Sequence, residues 1–174
     1  MSETAKLTIG ERTVDLPMHV GSEGEVGVDI GKLRAQTGVV TVDNGFANTA
    51  PAKSGITFLD GEQGILRYRG YPIEQLSEKS YFLEVAYLLM YGDLPSSAEY
   101  ANFDESITHH TLLHEDMKRF FQAFPPSAHP MAIASAVVSS LSTFYDDSSS
   151  RTPEAMDIAS HRLIAKLPTI AAYA

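Results

Sequence analysis

The chain has 174 residues, 44% of them hydrophobic, and 13 Lys+Arg against 22 Asp+Glu give a net charge of -9. This composition suits about one domain with a sizeable core and argues against a nucleic-acid or anionic-membrane partner. Because cysteine is absent, disulfides, thiolate metal sites and cysteine nucleophiles are excluded. The first residues show no secretory signal and the longest apolar run, 85–91, is too short to span a bilayer, so we expect a cytoplasmic protein.

Residues 1–70 are predicted to form a β-rich N-terminal segment. Glycines separate its short β-like runs, and one short helix is possible at 30–36. The predicted strands cover residues 6–9, 13–16 and 39–42.

The clearest local signal lies between Gly55 and Pro72. It predicts a strand at 56–59, a tight Asp60-Gly61 turn and a second strand at 65–68. A helix beginning at Pro72 should follow.

Residues 71–174 are predicted to be helical, and local chemistry places the helices. Ser80 is predicted to cap a helix over 81–91 that is apolar on nearly all sides and ends at Gly92. Ser96 and Glu99 have capping-box spacing for a long helix that reaches about residue 123. Its apolar stripe consists of Phe103, Ile107, His110, His114, Met117, Phe121 and Phe124.

Two more helices follow in the second half of the chain. Pro130 can open a helix rich in small residues, and Thr152 with Pro153 can start another. In that last helix we expect an inward face of Met156, Ala159, Leu163, Ile164 and Leu167. Residues 168–174 begin a fresh helix-compatible run and end within about a turn, so we expect a truncated chain, with a docked tail as the alternative.

Two pairs of side chains could carry chemistry. His110 and His114 have the spacing that lets two imidazoles share a metal on one helical face, but no third ligand is evident, and packing is the preferred interpretation. Arg162 and Lys166 place two cations four residues apart, which suits a phosphate. Dipole complementarity at a helix end is the simpler alternative.

Several stretches, in order, resemble landmarks of bacterial-type citrate synthases: 55–76, 81–92, 108–115, 129–132 and 162–169. The resemblance implies a mainly α, citrate synthase-like helical fold, here the N-terminal part, preceded by a small β-rich segment. It also implies condensation of acetyl-CoA with oxaloacetate, both as substrates, without a metal or cofactor, in a homo-oligomer that is a dimer or hexamer. No residue of the chain matches the family's catalytic motifs, so we assign no catalytic residue and expect the 174 residues alone to be inactive.

The resemblance extends to regulation. In the NADH-inhibited subgroup, an allosteric nucleotide pocket is built from this portion of the chain. Residues that match its positions are His110, Thr111, Tyr145, Arg162 and Lys166. His109 stands where that subgroup has an arginine. The alternatives are a 2-methylcitrate synthase that prefers propionyl-CoA, a non-catalytic nucleotide-binding or regulatory module, and a structural helical interaction domain.

Overall fold

The computed structural model describes residues 4–174. Their contacts divide into two compact units, the first ending at Ser54 and the second spanning Gly55–Ala174. The predicted domains, residues 1–70 and 71–174, are divided where the sequence changes from β-like to helical patterns, and this division stays a prediction.

The first unit contains a three-stranded antiparallel sheet in the order β1-β2-β3 and one short helix. Its elements are β1 (Thr4–Ile9), β2 (Arg12–Val20), β3 (Val26–Val28) and α1 (Leu33–Thr37). Gly10, with φ 61°, turns the chain between β1 and β2, a conformation that glycine adopts without steric cost. Leu16 and Leu33 are buried, so the sheet and α1 share a small apolar centre.

The strand predicted at 39–42 is absent, and that prediction is wrong. Within the described chain, residues 39–42 pair with no strand, and Val42 is 85% exposed. The valines give the segment β propensity, but without a neighbouring strand nothing satisfies the backbone of a strand there.

The second unit begins with a small antiparallel sheet in the order β4-β5-β6. These strands are β4 (Thr57–Asp60), β5 (Ile65–Tyr68) and β6 (Tyr71–Pro72). The two predicted hairpin strands are confirmed, but the loop between them has four residues, not two, because Asp60 pairs with Ile65. The Asp60 carboxylate accepts the backbone N–H groups of Glu62 and Gln63 at 3.0 and 2.9 Å, which stabilises the longer loop.

Helices and their connecting loops make up the rest, and 46% of the described residues are helical. They are α2 (Ile73–Lys79), α3 (Phe82–Tyr91), α4 (Ser97–His109), α5 (Glu115–Gln122), α6 (Pro130–Ser140) and α7 (Pro153–Tyr173), with a 3-10 turn at Leu141–Thr143. The predicted mainly α fold with a small β-rich N-terminal portion is therefore confirmed. None of the helices formed by residues 4–174 has the length and apolar character needed to cross a membrane.

Apolar side chains from several helices form two cores in this unit. Met117, Ile133, Val137, Leu141 and Ile170 make up the larger one, which joins α5, α6, the 3-10 turn and α7. The smaller consists of Phe103, Ile107 and Ala165 and joins α4 to α7. Helix α7 thus contributes to both cores and connects them.

The long helix predicted from Ser96 to about residue 123 is wrong, because α4 ends at His109 and α5 begins at Glu115. The predicted capping box is present, since the Glu99 carboxylate accepts the Ser96 N–H at 2.8 Å and Glu99 N–H donates to Ser96 Oγ at 3.4 Å. Residues 110–114 leave the helical path. His114 instead caps α5, its Nδ1 accepting the N–H of Asp116 at 3.2 Å.

The last helix also differs from the prediction. The Thr152 cap and Pro153 start are confirmed, but α7 continues through Pro168 to Tyr173, so the predicted separate run at 168–174 is wrong. Among the residues predicted to face inward, Met156, Leu163 and Leu167 are 55%, 41% and 47% exposed. The buried residues of α7 are His161, Ala165, Lys166 and Ile170.

Candidate functional site

A cluster of polar groups surrounds Arg162 and Lys166 on the inner side of α7. The Thr152 hydroxyl accepts the Ala155 N–H at 3.3 Å, and Pro153 occupies the first helical turn. These two features begin the helix, and the spacing of four residues then places both cations on one side of it.

Lys166 is almost fully buried, with 3% of its surface exposed. Its Nζ donates to the carbonyl oxygens of His110 at 2.5 Å and Leu112 at 2.7 Å. About one helical turn after Lys166, Thr169 Oγ1 donates to the carbonyl of Thr111 at 3.1 Å. Side chains of α7 therefore bind the carbonyl groups of residues 110–112. These bonds take the place of helical hydrogen bonds, which explains why the chain stops being helical after His109.

The Lys166 ammonium has no acidic partner. Within residues 4–174, no carboxylate lies at ion-pair distance from its Nζ. The Tyr145 ring centroid lies 5.8 Å away, and the two carbonyls are neutral acceptors. A buried cation in this environment attracts an anion, because its charge is only partly compensated.

Arg162 lies one turn before Lys166 and packs on the same aromatic ring. Its Cζ is 4.2 Å from the Tyr145 ring centroid, a distance typical of a cation–π contact. Its Nη1 donates to Asp147 Oδ1 at 2.7 Å, and Nε is buried without a partner. The hydrogen bond from Arg162 holds the pKa of the Asp147 carboxyl below its usual range, since it favours the ionised carboxylate.

His110 and Thr111 complete the cluster through local hydrogen bonds. His110 Nδ1 donates to the Ser106 carbonyl at 2.7 Å, and Thr111 Oγ1 donates to the Thr108 carbonyl at 2.9 Å. The structure thus brings together all five predicted nucleotide-pocket residues. Their assigned role in nucleotide binding stays a prediction.

The alternative metal site does not form. His110 lies at the C-terminal end of α4, whereas His114 starts α5 and its ring contacts Phe144 at 5.2 Å between centroids. The two imidazoles therefore do not share one helical face. Among residues 4–174, no group of three or more His, Asp or Glu side chains could hold a metal ion.

Asp147 and Thr169 are site residues that the sequence reasoning missed. The pair Asp146-Asp147 has the pattern of a solvated loop, and nothing local indicates that one of them reaches Arg162 across 15 residues. Thr169 lies beyond Pro168, where the sequence suggested the end of the helix. Only the continuity of α7 brings its hydroxyl to the Thr111 carbonyl.

A second polar network joins α3, α4 and α7 next to this cluster. The Tyr91 hydroxyl donates to Asp157 Oδ1 at 2.7 Å and lies 2.7 Å from His161 Nε2, while Ser106 Oγ lies 2.7 Å from His161 Nδ1. One tautomer of His161 satisfies all these contacts, with Nε2–H donating to Tyr91 and Nδ1 accepting from Ser106. Burial, then the hydrogen bond to Asp157, raises the pKa of Tyr91.

A surface depression of about 490 Å³ lies elsewhere in this unit. Its lining residues are Arg69, Gly70, Tyr71, Pro72, Gln75, Gly92 and Asp93. Arg69 Nη2 donates to the Leu89 carbonyl at 2.8 Å and Tyr71 donates to Asp93 at 2.7 Å, while Arg69 Nε is buried without a partner, as Arg162 Nε is. The Arg162–Lys166 cluster is the better candidate site because it combines two cations with an aromatic ring.

Comparison with known proteins identifies relatives for nearly the whole chain. Residues 45–174 match the family model described as citrate synthase, C-terminal domain. Citrate synthase 1 of Mycobacterium tuberculosis is 53% identical over 173 residues, which cover 99% of this chain and 40% of that protein. The chain therefore spans about 40% of the length of this curated relative.

Solved structures give the same result. A citrate synthase from Pyrobaculum aerophilum is similar with a TM-score of 0.67 and 25% identity, covering 98% of this chain and 40% of that one. A citrate synthase from Thermotoga maritima is similar with a TM-score of 0.64 and 29% identity, covering 76% of this chain and 34% of that one.

Proposed function

Because this chain belongs to the citrate synthase family, we propose that the protein condenses acetyl-CoA with oxaloacetate to form citrate and CoA. The observation that carries the proposal is the 53% identity to a citrate synthase over 99% of the chain. The helical architecture supports it, since the family's solved members have the same fold. A cytoplasmic location, a role at the entry of the tricarboxylic acid cycle and a homo-oligomeric state, dimer or hexamer, belong to the same proposal.

The 174 residues have a scaffolding and regulatory part in this proposal. None of them matches a catalytic motif of the family, and no acid/base pair suited to enolising a thioester is evident in the candidate site. Proton abstraction from a methyl group requires a base and an electrophile placed within hydrogen-bond distance of the substrate. We therefore propose that residues outside this chain perform the chemistry.

A thiol-release assay tests both statements. The protein expressed from the complete reading frame should release CoA from acetyl-CoA only when oxaloacetate is present, whereas residues 1–174 alone should release none. Citrate formation by the 174-residue chain would refute the assignment of the chemistry to other residues. Absence of turnover by the complete protein with any acyl-CoA would refute the enzymatic function and favour the non-catalytic module.

The acyl group is the open alternative within the enzymatic function. A 2-methylcitrate synthase would use propionyl-CoA in the same reaction. We propose acetyl-CoA, so kcat/KM should be higher for acetyl-CoA than for propionyl-CoA in the same assay. The reverse order would assign the protein to 2-methylcitrate synthesis.

A second function, nucleotide regulation, is favoured by the Arg162–Lys166 cluster. A phosphate-bearing ligand with an adenine ring would find two cations, an aromatic ring and hydroxyl groups within one small region. The buried Lys166 charge without a carboxylate supports an anionic ligand in particular. We propose NADH as that ligand, acting as an allosteric inhibitor and not as a cofactor of the reaction.

Titration with NADH tests the regulatory proposal. Arg162→Ala removes the guanidinium from the cluster, while Arg151→Ala removes an exposed arginine outside it and serves as the matched control. NADH should bind the parent protein and the control alike and should bind Arg162→Ala at least tenfold more weakly, as expected for loss of a charge-assisted phosphate contact worth about 1.5–3 kcal/mol. Equal binding by all three proteins would place the nucleotide elsewhere.

A further inference from the structure

The Arg162 guanidinium has only one edge that a phosphate could use. Arginine binds phosphate best with two parallel N–H groups of one edge. The side edge, formed by Nε and one terminal nitrogen, is closed because Nε is buried from solvent, and the Tyr145 ring covers one face at 4.2 Å. The remaining edge is formed by Nη1 and Nη2.

Asp147 already occupies that edge. Its Oδ1 accepts from Nη1 at 2.7 Å, and no other ion pair of Arg162 exists within residues 4–174. A phosphate that approached Nη1 and Nη2 together would meet the carboxylate at one of its two donors. Both groups are anions, so they cannot share Nη1 without strong repulsion.

The two partners of this ion pair differ in freedom. The Arg162 side chain is 19% exposed and is held by the Tyr145 ring, whereas the Asp147 side chain is 40% exposed. Asp147 lies in the loop between the 3-10 turn and α7. Its carboxylate can therefore rotate into water, where it is well solvated, while the guanidinium stays in place.

We propose that Asp147 competes with the ligand phosphate for Arg162, so that a nucleotide binds the cluster only when the Asp147 carboxylate leaves the guanidinium. This inference rests on the nucleotide site proposed above and adds its control element. The competing carboxylate weakens every anionic ligand by the free energy of one partly exposed ion pair. It also keeps the Arg162 guanidinium paired when no ligand is bound.

Asp147→Asn tests the competition without changing the shape of the side chain. The amide keeps a hydrogen-bond acceptor for Arg162 but loses the negative charge, so NADH should bind roughly threefold to tenfold more tightly, the scale of a partly exposed ion pair. Asp146→Asn is the matched control, since it removes the same charge one residue away and Asp146 makes no ion pair with Arg162. Its affinity for NADH should stay within about twofold of the parent, because screened charges act weakly over distance.

The measurement is the Kd for NADH, obtained by isothermal titration calorimetry of the parent protein and both variants at one ionic strength. Thermal unfolding shows that each protein is folded. Tighter binding by Asp147→Asn alone supports the competition. If the parent binds NADH and Asp147→Asn binds it equally or more weakly, the competition is refuted while the nucleotide site stands. Equal tightening in Asp146→Asn also refutes it, because the effect would then come from net charge. No NADH binding by any of the three proteins refutes the nucleotide site and the competition together.

Discussion

The Tyr91 hydroxyl connects α3 to α7, and its removal should lower the free energy of unfolding. It donates to Asp157 at 2.7 Å and accepts from His161 Nε2 at 2.7 Å. Tyr91→Phe deletes only this oxygen. The ring contacts of Tyr91 with Tyr87 and Phe103, at 4.4 and 6.1 Å between centroids, should remain.

The two partners of the lost hydroxyl should respond differently. The Asp157 side chain is 45% exposed, so water can replace the hydroxyl and the loss is small. His161 is only 8% exposed, and the other acceptor near its Nε2, Asp157 Oδ2, lies at 3.7 Å, too far for a hydrogen bond without movement. Its Nε2–H therefore loses a close partner that water cannot readily supply. A buried donor without a partner costs about 1–3 kcal/mol, and we expect Tyr91→Phe to lower the free energy of unfolding by this amount.

Tyr71→Phe provides the matched control. Its hydroxyl also donates to a carboxylate at 2.7 Å, that of Asp93, but the bond is exposed and no buried group depends on it. We expect a loss below about 1 kcal/mol, as for other exposed polar contacts. Urea unfolding followed by circular dichroism would compare the midpoints, and a Tyr91→Phe loss no larger than that of Tyr71→Phe would refute the importance of the buried network.

The same hydroxyl predicts alkaline behaviour. Burial, followed by the hydrogen bond to Asp157, raises the pKa of Tyr91 above its ordinary value of 10.0. The folded protein thus keeps the phenol proton to higher pH than the unfolded chain does. The resulting stabilisation is complete below pH 10 and is lost as the pH rises above it. In Tyr91→Phe, the free energy of unfolding should therefore fall less steeply above pH 10 than in the parent protein. An unchanged slope would contradict this.

Four further substitutions probe α7, measured by urea unfolding unless stated otherwise. Ile170→Ala should lower the free energy of unfolding by about 2–5 kcal/mol, because Ile170 is fully buried in the larger core. Leu167 is 47% exposed, so Leu167→Ala should lower it by less than about 1 kcal/mol. The reverse order would contradict the assigned inner face of α7. Lys166→Met frees the His110 and Leu112 carbonyls, a loss of about 1–3 kcal/mol that removal of a partly compensated buried charge offsets. The decisive measurement is therefore amide exchange, which should become faster in 110–114; unchanged exchange would show that these bonds do not hold the segment. Pro168→Ala should stabilise by about 1–2 kcal/mol, since Pro168 lies inside α7 and lacks the N–H of a helical residue; a loss of stability would show that the proline is required.

Helix caps formed by neighbouring residues were a part of the fold that the sequence could predict. The Ser96–Glu99 box, the Thr152 cap and the Gly92 stop act within a few residues, so their signals are complete in the local sequence. Even here, one cap shifted by a residue. Tyr81, not Ser80, is the N-cap of α3, and its N–H donates to Glu84 at 2.6 Å.

The break after His109 could not be predicted from periodicity. The apolar stripe continues through residues 110–114, and its members Phe103 and Met117 are buried as expected. The interruption instead depends on Lys166, whose Nζ binds carbonyls 56 and 54 residues earlier in the chain. A local pattern carries no information about a donor so distant, and hydrogen bonds to those carbonyls compete with helix continuation.

The inner face of α7 shows why the candidate site was harder to predict than the core. Hydrophobic periodicity favours Leu163 and Leu167 as inward residues, yet both are substantially exposed, while His161 and Lys166 are buried. Polar groups can occupy an inner face only where other elements supply their partners, and here Tyr91 of α3, Ser106 of α4 and the carbonyls of 110–112 supply them. The cations of the candidate site therefore lie on this face because distant residues accept their hydrogen bonds. Resemblance to a family could name those residues in advance, whereas hydrophobic patterning was right for Ile164, which packs against the smaller core, and wrong for Met156, Leu163 and Leu167, which are exposed.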